Sequence, residues 1–267
     1  MHMPDQHRYP PFAESQLPHV GTYRRVLPVS LERLYENALD WEHLPHLHGS
    51  SFASITCDEA GPWGWRAVTT SPRGHRLVLE LRLDRDCRRW ITRTLEGANT
   101  GAEVWTHAFA VAARRTDIVI DFFVPGIGGD DRVRVGDAFS STYERLYDED
   151  VAMMVERQRQ LDSRVESERK GEASSVGAVA DLALPLRAAF GGRDYFVTRV
   201  SGELVAHVAR CPHQLGPLDA AVDGVVQCPW HGYRFDAKTG DCLTGQACRL
   251  PSAPKVSVRD GWIWLER

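Results

Sequence analysis

The stretch CPHQLGPLDAAVDGVVQCPWHGYRF, residues 211–235, restricts the fold of this chain more than any other. It contains Cys211 and His213 as C-x-H, then fourteen intervening residues, then Cys228 and His231 as C-x-x-H. Two thiolates and two imidazoles presented by paired loops suit a metal centre whose two ends need different donors. A tetrahedral zinc site would use the same atoms, but zinc knuckles usually pair like with like, and each half of this motif mixes Cys with His. The sequence around and between the two halves of the motif is made of short apolar runs, YFVTRV, ELVAHVA, GVVQC and GWIWLE, separated by Gly and Asp-Gly turns. Such runs read as a small all-β domain, here starting near Ala178.

The rest of the chain is long enough for a second domain, because 267 residues with 43% hydrophobic content support two cores. Thirty-two basic against 36 acidic side chains leave a formal charge of −4 with no basic block, so nucleic acid is not expected as a partner. No run of about 18 apolar residues marks a membrane span, and the opening MHMPDQHRYPPFAESQLP lacks an apolar core of signal-peptide length. A cytoplasmic protein is expected. Six cysteines then point to thiolate or metal chemistry rather than a disulfide framework. Beyond the two in the motif, Cys57, Cys87, Cys242 and Cys248 read as packed or surface thiols.

Residues 1–20 are Pro-rich and polar and read as a flexible arm. A Ser-Leu-Glu start at Ser30 opens a helix through Leu31, Leu34, Tyr35 and Ala38, which Pro45 prevents from continuing regularly. Strand patterns follow, clearest in RLVLELRLD, where Leu77, Leu79, Leu81 and Leu83 alternate with Arg76, Glu80 and Arg82. RRWITRTLE, AEVWTHAFAVAA and TDIVIDFFV continue the run, as in an antiparallel sheet. A second helix is expected from about Asp137 to Leu161, with an apolar stripe through Phe139, Tyr143, Leu146 and Met153 or Met154. Steps of three and four along that stripe land on Asp150. An acid there needs a partner that offsets the cost of burying it. The division is thus arm 1–20, α+β domain 21–162, linker 163–177 and all-β domain 178–267.

One stretch of the first domain, YENALDWEHLPHLHGSSF, contains N-x-x-D-x-x-H-x-x-x-x-H: Asn37, Asp40, His43 and His48. Taken alone it suits a solvated polar face, since on an ideal helix Asp40 and His43 lie opposite the Leu31, Leu34 and Ala38 stripe. His43 and His48 are also about 140° apart around a regular helix and converge only if the chain bends. Pro45 supplies a reason for a bend. His46 reads as a residue behind the others or at the surface. His107 either faces the cavity of the sheet or is a satisfied structural histidine.

The C-terminal motif, with HGYRFDAKTGDCLTGQACRLP after it, resembles the Rieske family, in which a 2Fe-2S cluster takes two cysteines on one iron and two histidines on the other. That resemblance makes Cys211, His213, Cys228 and His231 the cluster ligands. High-potential members add a cysteine to each cluster loop and place Ser and Tyr hydroxyls near the bridging sulfurs. Here Leu215 and Gly216 follow Gln214, Trp230 stands in the second loop, and Tyr233 and Phe235 hold the hydroxyl positions. With fewer hydrogen bonds to sulfur, the expected potential lies toward the low end of the Rieske range of about −150 to +300 mV.

The N-terminal motif resembles the mononuclear iron motif of Rieske non-haem iron oxygenases, whose catalytic domain is a helix-grip fold of the START/SRPBCC type. Here the catalytic domain precedes the Rieske domain, the reverse of the usual order. The resemblance implies Fe(II) held on one face by His43, His48 and an Asp on the last long helix, Asp150 with Asp148 as runner-up. It makes Asp40 the bridge for electrons from a cluster histidine, with Asn37 opening the motif. It implies dioxygen as co-substrate and hydroxylation, dihydroxylation or dealkylation of a small organic substrate. Electrons come from NAD(P)H through a separate reductase, with or without a ferredoxin, since the chain has no G-x-G-x-x-G of its own. A homotrimer is the family's usual assembly. The rival reading is a non-catalytic protein, a START-like ligand-binding domain fused to a Rieske ferredoxin, or a carrier for another enzyme's active site.

Overall fold

The alternating segments of the first half form seven strands: β1 (His19–Leu27), β2 (Ser54–Gly61), β3 (Gly64–Thr70), β4 (Arg76–Asp84), β5 (Arg89–Glu96), β6 (Glu103–Ala112) and β7 (Arg115–Phe123). In the computed structural model, which describes residues 15–163, 173–181 and 183–267, they make one antiparallel sheet in the order β1-β7-β6-β5-β4-β3-β2. The chain divides into two compact units, residues 1–155 and 156–267.

Strand order decides where the functional segment goes. β1 and β2 are opposite edges of the sheet, so the connection between them must cross a sheet face. It does so as α1 (Leu31–Leu39) and the one-turn α2 (Leu44–Leu47). Ser30 caps α1 by accepting a hydrogen bond from the Arg33 backbone N–H at 3.3 Å. Trp65 on β3 donates its indole N–H to the Ala38 carbonyl at 2.9 Å, tying the end of α1 to the sheet. Leu34 and Tyr35 of α1 bury into the same core as Ala67, Leu81, Trp90, Val104, Ile118, Ile120 and Phe122 from the strands. Ile118, Ile120 and Phe122 are fully buried, each worth about 1.5–3 kcal/mol in side-chain burial.

The long α3 (Asp131–Ser163) packs on that face too, through Phe139, Tyr143, Tyr147, Val151 and Met154. It begins six residues before the sequence-based start. Tyr147, rather than Leu146, is its buried residue in the middle turns. Close approach to β1 is possible because Gly21 and Gly136 face each other: a Cβ on Gly136 would lie 2.3 Å from the Val20 carbonyl oxygen. This is the helix-grip architecture, with two helical segments and a long terminal helix on one face of a single sheet.

The opposite face is polar but not open. A row of facing residues runs Glu59, Arg66, Glu80, Arg93 and Glu103 across β2 to β6. Glu80 is 2% exposed. It accepts hydrogen bonds from Arg66 Nη2 at 2.5 Å and Arg82 Nε at 2.7 Å. Burial alone would raise its pKa, but the two guanidiniums hold it below the ordinary value.

The second unit is all-β after the end of α3. It contains β8 (Ala173–Ala178), β9 (Leu186–Phe190), β10 (Arg193–Val200), β11 (Glu203–Val208), β12 (Val225–Gln227), β13 (Arg234–Asp236), β14 (Lys255–Arg259) and β15 (Trp262–Glu266). They form sheets ordered β11-β10-β9, β12-β13 and β14-β15-β8.

Two expected boundaries move. His19 and Val20, assigned to the arm, begin β1 because β7 offers a paired edge; residues 1–14 of that arm lie outside the described chain. Of the expected linker 163–177, residues 164–172 lie outside it as well, Ser163 ends α3, and the small, polar 173–177 belong to β8, paired with β15. No described helix is long and apolar enough to cross a membrane.

Candidate metal centres

α1 ends at Leu39 with Asp40 as its C-cap, and the backbone there leaves the helical region (φ −88°, ψ 87°). The ideal-helix projection that puts Asp40 and His43 on a solvated face therefore fails. The Asp40 and His43 side chains are 6% and 3% exposed. Pro45 also acts differently from a breaker. It occupies the first turn of α2, where its missing N–H costs nothing, and His43 and His48 are the residues flanking that turn as N-cap and C-cap. Bracketing one turn brings their rings to 5.1 Å between centroids.

Asp150 projects from α3, which lies on the same sheet face as α1. Its Oδ1 stands 3.0 Å from His48 Nε2 and 3.4 Å from His43 Nε2, and accepts a hydrogen bond from the Asn37 amide at 3.0 Å. One donor atom from each of His43, His48 and Asp150 lies within 4.8 Å of the others, and all three residues are buried. Ligand bonds of about 2.1 Å meeting at about right angles would space donors by about 3 Å, so the trio fits a divalent ion with little adjustment.

Behind each imidazole stands a carboxylate. Glu149 Oε2 is 2.5 Å from His48 Nδ1, and Asp40 Oδ2 is 3.6 Å from His43 Nδ1. Such partners fix the tautomer that turns Nε2 toward a metal. Both ring nitrogens of His43 are buried without a hydrogen bond of normal geometry, the condition expected of a nitrogen placed for a metal. Burial opposes charge on His43, but Asp150 and Asp40 outweigh it and push its pKa up to about 10. Burial likewise opposes charge on Asp150, and the two imidazoles hold its carboxyl well below the usual range.

Of the other sequence candidates, Asp148 is an exposed side chain paired to Arg25 at 2.6 Å. His46 is exposed. His107 does not line the cavity: it alternates with the core residue Ala108 and sits beside Trp105 on the opposite sheet face. Glu149 is the participant that sequence reasoning left without a role. Its one signal was its place beside Asp150.

In the second unit, Cys211 and His213 lie on the loop after β11, and Cys228 and His231 on the loop joining β12 to β13. Each loop is closed by backbone hydrogen bonds, Cys211 N–H to Gly216 O and Cys228 N–H to Tyr233 O, both 2.8 Å. Gly216 lets the loops meet, because a Cβ there would stand 2.8 Å from the Trp230 ring and 3.3 Å from Cys228 Sγ. Both thiols are fully buried. Their mutual hydrogen bond lowers Cys228 and raises Cys211, so the pair gives up its first proton easily and holds its second. The His213 and His231 rings are 4.5 Å apart, and Tyr233 stacks on His213 at 4.8 Å. Two adjoining thiols facing two adjoining imidazoles fit a cluster with sulfur and nitrogen ends.

Residues 172–254 match the family described as the Rieske [2Fe-2S] domain. The C-terminal unit thus carries a Rieske domain, and that domain implies a 2Fe-2S cluster. Comparison with curated proteins returns no match. Among solved structures, the chain is similar to a protein from Thermus thermophilus (20% identity, 52% of this chain and 97% of that one, TM-score 0.42). It is also similar to the ZhuI aromatase/cyclase from a Streptomyces species (16%, 53% and 96%, 0.42). A third is norcoclaurine synthase from Thalictrum flavum (15%, 51% and 85%, 0.40). The helix-grip assignment of the first unit rests on its own strand order and helix placement.

Proposed function

We propose that this chain is the oxygenase component of a Rieske-type system acting on a small organic substrate. The observation that carries this reading is the meeting of His43, His48 and Asp150, with His48 and Asp150 102 positions apart in sequence, at a buried point where each imidazole is backed by its own carboxylate. A buried polar cluster of this kind is costly unless it holds something. Fe(II) bound there would supply activation of dioxygen beside the substrate, with electrons relayed from the Rieske cluster.

The surrounding residues have separable tasks. Glu149 holds a proton at His48 Nδ1 and the nearby charge of Asp40 favours one at His43 Nδ1, which would leave both Nε2 lone pairs for the metal. Asn37 orients the Asp150 carboxylate through Oδ1. Asp40, next to His43 and in the position of the family's bridging acid, also connects the site toward an incoming electron. A separate reductase drawing on NAD(P)H, with or without a ferredoxin, completes the system, and a cytoplasmic homotrimer is its working form.

Iron stoichiometry tests the proposal. Anaerobically reconstituted wild type should hold three irons per chain. His43→Ala and His48→Ala should each hold two, with unchanged cluster absorbance and EPR spectra. A wild type that retains only two irons after reconstitution overturns the proposal in favour of an electron carrier with a ligand-binding domain. Oxygen consumption with a generic reductase, screened across candidate substrates, then tests turnover.

A further inference from the structure

Downstream of the cluster loops the chain brings two more cysteines together. Phe235 of β13 pairs with Cys242, and Asp241 pairs with Arg249, both antiparallel. The second pairing leaves Cys242 and Cys248 one step inward on the two arms of the turn, where their side chains are in hydrogen-bond contact. The Leu250 N–H to Gly240 carbonyl bond, 2.8 Å, fastens the base of this small hairpin. Facing residues of an antiparallel pair have Cα atoms about 4.5–5.5 Å apart. A disulfide requires about 4.4–6.8 Å. The two residues are partly exposed thiols with no disulfide between them.

We propose that Cys242 and Cys248 form a redox-active dithiol that closes reversibly to a disulfide on exposure to a hydroperoxide. This pair is separate from the loop-to-loop disulfide of high-potential Rieske proteins, whose positions fall in the cluster loops themselves.

The surroundings of Cys242 differ from those of Cys57 and Cys87. Burial raises the pKa of Cys57 and of Cys87. Burial also opposes ionisation of Cys242, but there it is outweighed by hydrogen bonds from the Thr244 side chain, the Thr244 and Gln246 backbone and the Cys248 side chain, and its pKa falls. Cys242 Sγ lies 3.3 Å from Thr244 Oγ1 and 3.5 Å from Gln246 Oε1. The thiolate is the reactive form, so Cys242 is the attacking residue and Cys248 the resolving one. Gly245 at the turn has φ +90° and nothing within 4 Å of a would-be Cβ, which leaves the turn room to adjust as the sulfurs close.

The chemistry balances without further reagents. Cys242 thiolate attacks one peroxide oxygen, the O–O bond breaks, and water leaves after protonation, giving a sulfenic acid. Cys248 thiolate then attacks that sulfur, the S–O bond breaks, and a second water leaves. The sum is two thiols and one hydrogen peroxide giving a disulfide and two waters. A small dithiol or a thioredoxin-class reductant reverses it. The inference is independent of the oxygenase reading, since it does not involve His43, His48 or Asp150.

The test uses the full chain with its cluster loaded. Anaerobic treatment with one equivalent of hydrogen peroxide, alkylation of remaining thiols and peptide mapping should give a Cys242–Cys248 cross-linked peptide, two hydrogens lighter than the reduced pair. The cluster absorbance should be unchanged, and dithiothreitol should restore both thiols. Cys57→Ser/Cys87→Ser should cross-link as wild type does. Cys248→Ser should instead accumulate a sulfenic acid at residue 242, trapped by dimedone. The proposal is overturned if Cys242 and Cys248 are still alkylated after peroxide, if they go to sulfinic acid without cross-linking, or if the cross-link forms only once the cluster has been lost.

Discussion

Metal capture by His43, His48 and Asp150 should depend steeply on pH, in a direction the geometry sets. Without metal, His43 lies between two carboxylates that keep it protonated up to a pKa of about 10. A protonated imidazole cannot ligate, so binding must expel that proton. At pH 7 the proton is held by about three pH units, which at 1.36 kcal/mol per unit is a penalty of about 4 kcal/mol, or about a thousandfold in affinity. The sign follows directly. Raising the pH removes the penalty, and affinity should rise about tenfold per unit, or about a hundredfold between pH 6.5 and 8.5. The assay is calorimetric titration of cluster-loaded protein lacking the mononuclear metal, with Co(II) as ligand, in two buffers of different ionisation enthalpy. Nearly one proton should be released per metal bound. An affinity that stays flat over this range, with no proton released, would refute the reasoning, because His43 would then be neutral before metal arrives.

Three other outcomes are expected. Glu149→Gln weakens the partner at His48 Nδ1 and should lower metal affinity about 10- to 100-fold, read by the same titration, while the cluster spectrum stays the same. Gly136→Ala forces a methyl against the Val20 carbonyl; overpacking of about 1–3 kcal/mol exceeds the helix gain of about 1 kcal/mol, so calorimetry should show a lower Tm. Gly216→Ala drives a Cβ into the Trp230 ring and toward Cys228 Sγ, and cluster content per chain, measured by absorbance and iron assay, should fall severalfold without loss of the α3 helical signal.

The parts of the molecule that could be read from sequence were those where chemistry imposes a local spacing. Cys211, His213, Cys228 and His231 announce themselves because each pair sits on one short loop. Asp150 stood out because an acid interrupts an apolar stripe, and α3 does bury it. What escaped depended on partners distant in sequence. The small, polar ASSVGA of β8 looks like a tether and becomes a strand only because β15 offers an edge. β1 is an edge strand paired on one side alone, so its alternation is weak. Glu149 touches His48 101 positions away, and no local pattern encodes that. Glu80 reads as a solvent-facing strand residue, yet Arg66 and Arg82 cover it.

The edge-to-edge crossing of α1 and α2 also governs the order of assembly. Its histidines leave the ribosome before β2, while Asp150 follows only after all seven strands, so the three donors can meet only once the whole sheet has been synthesised. A metal bound there would tie the two ends of the unit together, much as a cross-link over about 100 residues would, a constraint worth about 4.7 kcal/mol in the chain-entropy picture. Because the cluster loops come later still, the first unit can be sealed before the first cluster cysteine has been made.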